Sequence, residues 1–512
     1  MRRRRPPLRD MRRVLRPDGA PAALLAGAAL TLAQPPLGLW PALFLAWPVL
    51  FVSVSRAGSP GRAARRGFAA GFGFFSTGLY WVGEAFLVEA GKVWWYLPLM
   101  PFAVAALAAA CAAFWAIGFA AARALSVEGW RGAVALGAAV GLADALRGVA
   151  LTGFPWALQA YAWIGAPPMQ AAALTGSLAL SGLTVTAAAL PAAARRDAPW
   201  PAVAAAGLLA LGWGGGVTRL AGAEAAPQGP PIRLVQPNTR QVDKWDPQNI
   251  GPIFERLVAL TRAPSETPPT LVVWPEVAVT FLIDRAPDAV ATALDAAGGA
   301  ALAVGAVRED AAGRYRNSLH FFDPDGTLRA SYDKRRLAPF GEYVPYAWLL
   351  GRIGLGTLGD GLSGFAPGER PLTVAPPGLP PGAPLICYEV IFPRLVGEAA
   401  TEAEWLLQVT NDAWFGRSAG PWQHLAQAQA RAIEQGLPAA RAANTGISAF
   451  IDPYGRIAAS LPLEARGVLD SPLPGAPVAT AYAAIGDAPW LALLAIAAAA
   501  ARLGRERATV SG

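Results

Sequence analysis

Three predicted strand ends in this chain carry a side chain that can do chemistry. They are Glu276 in VVWPEVAV, Lys334 in YDKRRLAPFGEYVP and Cys387 in APLICYEVIF. Cys387 is one of two cysteines in 512 residues. A thiol attacks a carbonyl carbon as its thiolate, so a base has to take the proton. Histidine is the usual partner, but neither His320 nor His424 falls at a strand end with the other candidates. Glu276, raised in pKa if buried, is then the substitute base. Lys334 would stabilise the oxyanion of a tetrahedral intermediate, together with the amide N–H that follows the nucleophile. Glutamate, lysine and cysteine make a coherent acyl-transfer set.

Each residue has a plainer reading taken singly. A free cysteine is often a small core residue, Glu276 can be a solvated turn residue, and Lys334 can be a surface charge beside Asp333. Together these readings weaken, because an apolar strand seldom ends in an unpartnered glutamate followed by more apolar residues. Lysine usage adds a hint. Only Lys92, Lys244 and Lys334 occur, and every other basic residue is arginine. A lysine in such a chain marks work for a compact, titratable charge.

The elements that hold these residues divide the chain. At 54% hydrophobic and 15% charged residues it is too apolar for an ordinary soluble enzyme. About seven stretches approach the roughly 20 apolar residues a membrane span needs, near 19–36, 38–56, 67–88, 94–122, 130–150, 168–190 and 200–218. A further, shorter one lies near 486–501. The expected domains are therefore a helical membrane domain over 1–220, an α/β domain over 221–485, and a last helix with its tail over 486–512. Cys111 sits inside an apolar run and reads as a core residue.

Arginines cluster in alternate loops: the N-terminus, Arg56 to Arg66, Arg123 and Arg131, Arg195 and Arg196, and the C-terminus. By the positive-inside rule both termini are cytoplasmic and 221–485 lies on the far side. The net charge of +8 is thus a topology signal, and no nucleic-acid partner is expected. Asp144 and Arg147, three residues apart near a span end, are placed to pair with each other. Within 221–485 the pattern gives strands at 231–238, 270–276, 300–307, 384–389 and 405–412, and hairpins at 318–333 and 446–460. Helices are expected at 249–263, 287–298 and 421–435, which makes an α/β layered domain.

VVWPE, YDKRRLAPFGEYVP and LICYE, in that order, resemble the nitrilase superfamily with its Glu–Lys–Cys triad. With the spans before and after, nearly the whole chain resembles the membrane-embedded apolipoprotein N-acyltransferase family. The likeness includes LVQPNTRQVDKWDP (234–247), TNDAWFG (410–416) and AARAANTGISAFIDPYGR (439–456). The resemblance implies an α-β-β-α sandwich facing the periplasm of a bacterial inner membrane. Glu276 would be the base, Lys334 the stabiliser and Cys387 the nucleophile, supported by Trp245, Glu342, Tyr388 and Glu389. The plainer alternative makes Trp245 a packing aromatic, and Glu342 and Glu389 charge partners of Lys334. The implied reaction takes an acyl chain from a phospholipid and passes it to a diacylglyceryl-cysteine lipoprotein in the bilayer. It needs no cofactor, and the sequence has no Cys/His spacing for a metal. The glycine-rich stretch 346–365 reads as a mobile lid at the headgroups or as an ordinary core helix. Trp414, Phe415 and Trp422 suit an acyl-chain wall or an interface anchor. The rival readings are a membrane-tethered amidase and a transporter with an outer binding module.

Overall fold

A computed structural model describes residues 19–88, 94–125, 128–223, 229–346, 352 and 364–510. It divides the chain into two compact units, Met1–Ala221 with Ala484–Gly512, and Gly222–Ala483.

The first unit is helical. Among the described residues four helices are long and apolar enough to cross a membrane: Leu97–Leu125, Gly129–Val149, Pro167–Ala193 and Trp200–Ala221. Ala20–Ala33, Pro41–Ser55 and Ala488–Arg502 are shorter apolar helices. The span expected at 67–88 differs. Its helix starts earlier, at Pro60, where the Ser59 hydroxyl accepts the Arg62 amide, and stops at Gly78. A 3₁₀ turn at Tyr80–Gly83 and a short helix at Glu84–Val88 follow. Arg62, Arg65 and Arg66 in the first turns make this helix less apolar than its neighbours. Small residues set the helix spacing. A Cβ on Gly27 would lie 1.9 Å from the Ala70 carbonyl oxygen, and one on Gly73 would lie 2.1 Å from that of Leu24. Cys111 is buried, as expected of a core residue.

The described residues of the second unit form two sheets. In chain order its strands are β1 (Pro231–Gln236), β2 (Leu271–Val279), β3 (Ala301–Glu309), β4 (Tyr315–Phe322), β5 (Leu328–Asp333), β6 (Gly382–Ile386), β7 (Trp405–Thr410), β8 (Ala439–Ala443), β9 (Ser448–Ile451), β10 (Ile457–Leu461) and β11 (Gly467–Pro472). One sheet runs β11-β1-β2-β3-β4-β5 and the other β10-β9-β8-β7-β6. Strands β1, β2 and β3 are mutually parallel, as are β6, β7 and β8.

Alternation along the strands makes two cores. Ile232, Leu234, Leu271 and Val273 face Ile386, Leu407, Val409 and Phe450 between the sheets. The alternate residues Val235, Val272, Trp274 and Leu302 pack on helices Ile250–Thr261 and Pro287–Ala297. Each such side chain contributes about 1.5–3 kcal/mol by leaving water. The result is a nitrilase-like α-β-β-α sandwich joined in sequence to a multi-helix unit. The expected strand 384–389 is shorter than the pattern suggests: β6 ends at Ile386 and Cys387–Ile391 is a 3₁₀ turn. Residues 387–389 are thus placed by a turn at the carboxyl end of a parallel strand, an edge where open α/β sheets gather functional groups.

Candidate active site

Glu276 sits on a break in β2. Trp274 pairs with Val304, but the next matched pair is Val279 with Ala306, so the residues between bulge out of the ladder. Gly305 makes room, since a Cβ there would lie 2.1 Å from the Pro275 carbonyl oxygen. Val277, next after the glutamate, has φ +44°, a left-handed conformation unusual for a β-branched residue. Lys244 Nζ steadies this backbone by donating to the carbonyls of Glu276 (3.2 Å) and Val277 (2.8 Å). The buried carboxylate accepts from Lys334 Nζ (2.9 Å) and Asn317 Nδ2 (2.8 Å) on Oε1, and from the Asn411 amide (2.8 Å) on Oε2.

Lys334 follows β5 and is also buried. Its ammonium lies between Glu276 and Glu342, with Glu342 Oε1 at 3.0 Å. Burial pulls Lys334 down, but Glu276 and Glu342 carry it well above the ordinary lysine range. Burial pushes Glu276 up, and Lys334, Asn317 and Lys244 outweigh it, so the carboxyl is held below its usual value. Lys244 is drawn down to about 8 by burial, against the pull of Glu276 and Cys387. The glutamate is therefore ionised at neutral pH beside a firmly charged lysine.

Cys387 opens the turn after β6 with φ +51°. Strain of this kind persists only where the surroundings over-determine it. Glu389 supplies much of the constraint. Its Oε2 accepts the Ile386 amide (2.7 Å), while Oε1 accepts the Arg335 and Arg336 amides (2.7 and 3.2 Å) and the Tyr332 hydroxyl (2.9 Å). One carboxylate thus ties the backbone just after Lys334 to the backbone just before Cys387. Burial, then Glu276, push the Cys387 thiol far above the ordinary range, with Lys334 opposing. The resting group is a thiol, so any attack by its sulfur would have to shed the proton.

Behind the thiol lies a buried polar network. His424 Nε2 is 3.1 Å from the Cys387 carbonyl oxygen, and Nδ1 is 2.9 Å from Asp412 Oδ1. Arg441 donates to Asp412 Oδ2 and to Gln408 Oε1, both at 2.6 Å. A second network links the quoted motifs. Asn411 Nδ2 donates to Gln241 Oε1 (2.6 Å), and Asn444 Nδ2 donates to Asn411 Oδ1 (2.9 Å). Among the described residues no cluster of three His, Cys, Asp or Glu side chains is arranged to hold a metal ion.

A family model described as carbon-nitrogen hydrolase matches residues 232–479, and one described as apolipoprotein N-acyltransferase N-terminal domain matches residues 26–190. The chain is 39% identical over 503 residues to the apolipoprotein N-acyltransferase of Rhodopseudomonas palustris, covering 93% of each chain. It is 40% identical over 478 residues to that of Brucella melitensis, covering 88% of this chain and 89% of the relative. The chain belongs to the apolipoprotein N-acyltransferase family. Among solved structures, an amidase from Nesterenkonia sp. aligns with 49% of this chain and 94% of its own, at 22% identity and a TM-score of 0.36.

In this family member the four supporting candidates fall in different places. Glu342 bonds Lys334. Glu389 bonds the backbone on either side of the site, so it is not the direct charge partner of Lys334. Trp245 is exposed, beside buried Lys244. Tyr388 is half-buried, with its ring edge-on to Phe392 at 5.1 Å. Trp414 and Trp422 are exposed, and Phe415 lies edge-on to His424 at 5.8 Å. The stretch 346–365 lies almost wholly outside the described residues.

His424 lies within a helix, not at a strand end, and its Nε2 meets the backbone carbonyl of Cys387 at 3.1 Å, a contact that the sequence does not reveal. Lys244, Asn317, Asn411, Asp412 and Arg441 were also missed as site residues. For Lys244 the rarity of lysine was a usable signal. For Asp412 and Arg441 the signal was their presence inside TNDAWFG and AARAANTG.

Proposed function

We propose that this chain is a ping-pong N-acyltransferase. It moves an acyl chain from a phospholipid, through a thioester on Cys387, to the α-amino group of a diacylglyceryl-cysteine lipoprotein. The observation that carries the reading is the contact of ionised Glu276 with Lys334 in the electrostatic neighbourhood of the Cys387 thiol, in a chain with helices of membrane-spanning length.

In the first half-reaction Cys387 Sγ attacks the ester carbonyl carbon while Glu276 takes the thiol proton. Lys334 and the amide N–H of Tyr388 stabilise the oxyanion. The carbon–oxygen bond breaks, and Glu276 returns the proton to the leaving lysophospholipid oxygen. In the second half-reaction the amine attacks the thioester carbon and gives a proton to Glu276. The carbon–sulfur bond then breaks, the sulfur recovers the proton, and an amide remains.

Glu342 holds Lys334 as a second carboxylate partner beside Glu276, and Glu389 sets the spacing of the lysine and cysteine segments. The arginine alternation supports a bacterial inner-membrane enzyme with both termini cytoplasmic and residues 221–485 periplasmic. On that reading 1–220 and 486–512 are the membrane parts. Both substrates are bilayer lipids, which gives a multi-span anchor its purpose.

Intact-protein mass spectrometry after incubation with phospholipid tests the reading. The expected result is a gain of one acyl chain on Cys387, discharged by a diacylated lipopeptide as an N-acyl product. Release of free fatty acid with no amide would make the protein a hydrolase instead. An unmodified Cys387 would sink the thioester.

A further inference from the structure

The carbonyl of Cys387 receives two side-chain donors, and both are ordered by one guanidinium. His424 Nε2 lies 3.1 Å from that oxygen and Gln408 Nε2 lies 3.3 Å from it. A carbonyl only accepts, so His424 carries a proton on Nε2 whatever the state of Nδ1. Arg441 Nη1 donates to Gln408 Oε1 at 2.6 Å, which turns the amide nitrogen of Gln408 toward Cys387. Arg441 Nη2 donates to Asp412 Oδ2 at 2.6 Å, and Asp412 Oδ1 lies 2.9 Å from His424 Nδ1. Thr410 donates to the same Oδ1 at 2.9 Å. His424, Asp412 and Arg441 are buried, and a Cβ on Gly446 would lie 2.3 Å from Asp412 Oδ2, so the carboxylate has no room to swing.

The Cys387 carbonyl and the Tyr388 N–H belong to one peptide unit. Donors on the oxygen draw electron density through the amide and make its N–H a stronger donor. We infer that His424 and Gln408 act through this peptide: His424 is a positioning residue that polarises the 387–388 amide and so strengthens the oxyanion donor. The inference rests on the acyl-transfer reading above and deepens it. It also gives the left-handed turn at Cys387 a function, because that conformation turns the carbonyl toward His424 while the N–H of the same unit follows the nucleophile.

The test compares His424→Leu, which deletes the donor, with His424→Gln, whose amide nitrogen can stand near the position of Nε2. Two rates are read on the full-length protein: acyl-thioester formation from phospholipid, and modification of Cys387 by methyl methanethiolsulfonate. That reagent has no carbonyl, so its reaction develops no oxyanion. His424→Leu is expected to lower kcat for acylation roughly 10- to 30-fold, less than the 10²–10³ lost when an oxyanion donor itself is removed. KM and the methanethiolsulfonate rate stay at their wild-type values, and His424→Gln recovers most of kcat. The inference is overturned if His424→Leu acylates at the wild-type rate. It is equally overturned if thiol modification slows in parallel with acylation, since His424 would then only place the sulfur. A wild-type protein that takes up no acyl chain would remove the acyl-transfer reading itself, an outcome visible before any variant is made.

Discussion

The helical unit and the α/β unit treat buried charge in opposite ways. In the helical unit Asp144 and Arg147 sit three residues apart on one helix and pair at 2.9 Å, each about 1% exposed. Trp115 donates to the same carboxylate oxygen, and the guanidinium also donates to the carbonyls of Phe154 and Trp156. The pair is local and spends its donors on the unit's own backbone. In the α/β unit Glu276 comes from one segment and Lys334 and Glu342 from another nearly sixty residues on, and they share their charges at 2.9–3.0 Å. Buried ions generally cost more to desolvate than they return, so a cluster assembled from distant segments is retained for something other than stability. The local pair answers the transporter reading, because its charges are committed to each other. The distant cluster bears electrostatically on the Cys387 thiol, as the proposed reaction requires.

Breaking the two clusters should therefore give different phenotypes. The largest effect is expected at the reactive groups. Cys387→Ala should abolish formation of the acyl adduct, and Glu276→Gln should lower the rate of thioester formation by about 10²–10⁴. Cys387→Ala should keep a near-native melting temperature, which circular dichroism in detergent would show, whereas Glu276→Gln also breaks a buried ion pair and should melt lower. Lys334→Met removes the cation between two carboxylates, so activity should fall about 10²–10³-fold and stability by about 3–5 kcal/mol. Unchanged stability would mean that Glu276 or Glu342 takes up a proton in the variant.

The helical pair should show the reverse pattern. Asp144→Leu alone leaves Arg147 buried and unpaired, at a cost of about 3–5 kcal/mol. Asp144→Leu with Arg147→Met should regain most of that loss and keep specific activity in the folded fraction. A double variant as unstable as the single one would show that the backbone carbonyls of Phe154 and Trp156 depend on the guanidinium more than the charges depend on each other.

How much of this was open to sequence reading follows from the range of each contact. Glu276, Lys334 and Cys387 could be found because each falls at the end of a predicted strand, a feature of a few neighbouring residues. The strand alternation at Ile232 and Leu234, or Leu271 and Val273, likewise marked the inter-sheet core. The apolar run PLI continues through Cys387 in the sequence, so the pattern extends the strand to 389. The break comes from φ +51° and from Glu389 capping Ile386, neither of which shows in hydropathy. His424 was illegible because it acts on a backbone carbonyl 37 residues away, and no side-chain spacing encodes that. Asn411 reaches Glu276 through its amide N–H, which every non-proline residue carries. The helix starting at Pro60 was misjudged because its arginines were assigned to a loop.

A smaller effect concerns pH. Burial pushes Asp412 up, but Arg441 and His424 outweigh it and hold the carboxyl at about 2 against an ordinary 3.8. A carboxyl depressed in the folded state contributes stability that is present above its unfolded value and lost as pH falls through the folded one. The difference amounts to about 2 kcal/mol, lost between roughly pH 4 and pH 2. Thermal melting from pH 5 to pH 2 should show this loss in the wild type and a correspondingly shallower decline in Asp412→Asn. Equal slopes would mean that Asp412 is not ionised in the folded protein.

The finest distinction is at Lys244, the second cation beside Glu276. It touches the backbone carbonyls of Glu276 and Val277, not the carboxylate, so it can act by its charge or by holding the bulge. Its charge helps to hold Glu276 below the ordinary range. Lys244→Met should therefore move the acid limb of the kcat/KM profile to higher pH, because the base then stays protonated longer. At high pH Glu276 is ionised in either protein, and only the loss of two hydrogen bonds remains, expected to lower the plateau by about threefold or less. A variant that is slow at every pH with an unmoved acid limb would make Lys244 a backbone clamp. The charge balance of the active site would then rest on Lys334 alone.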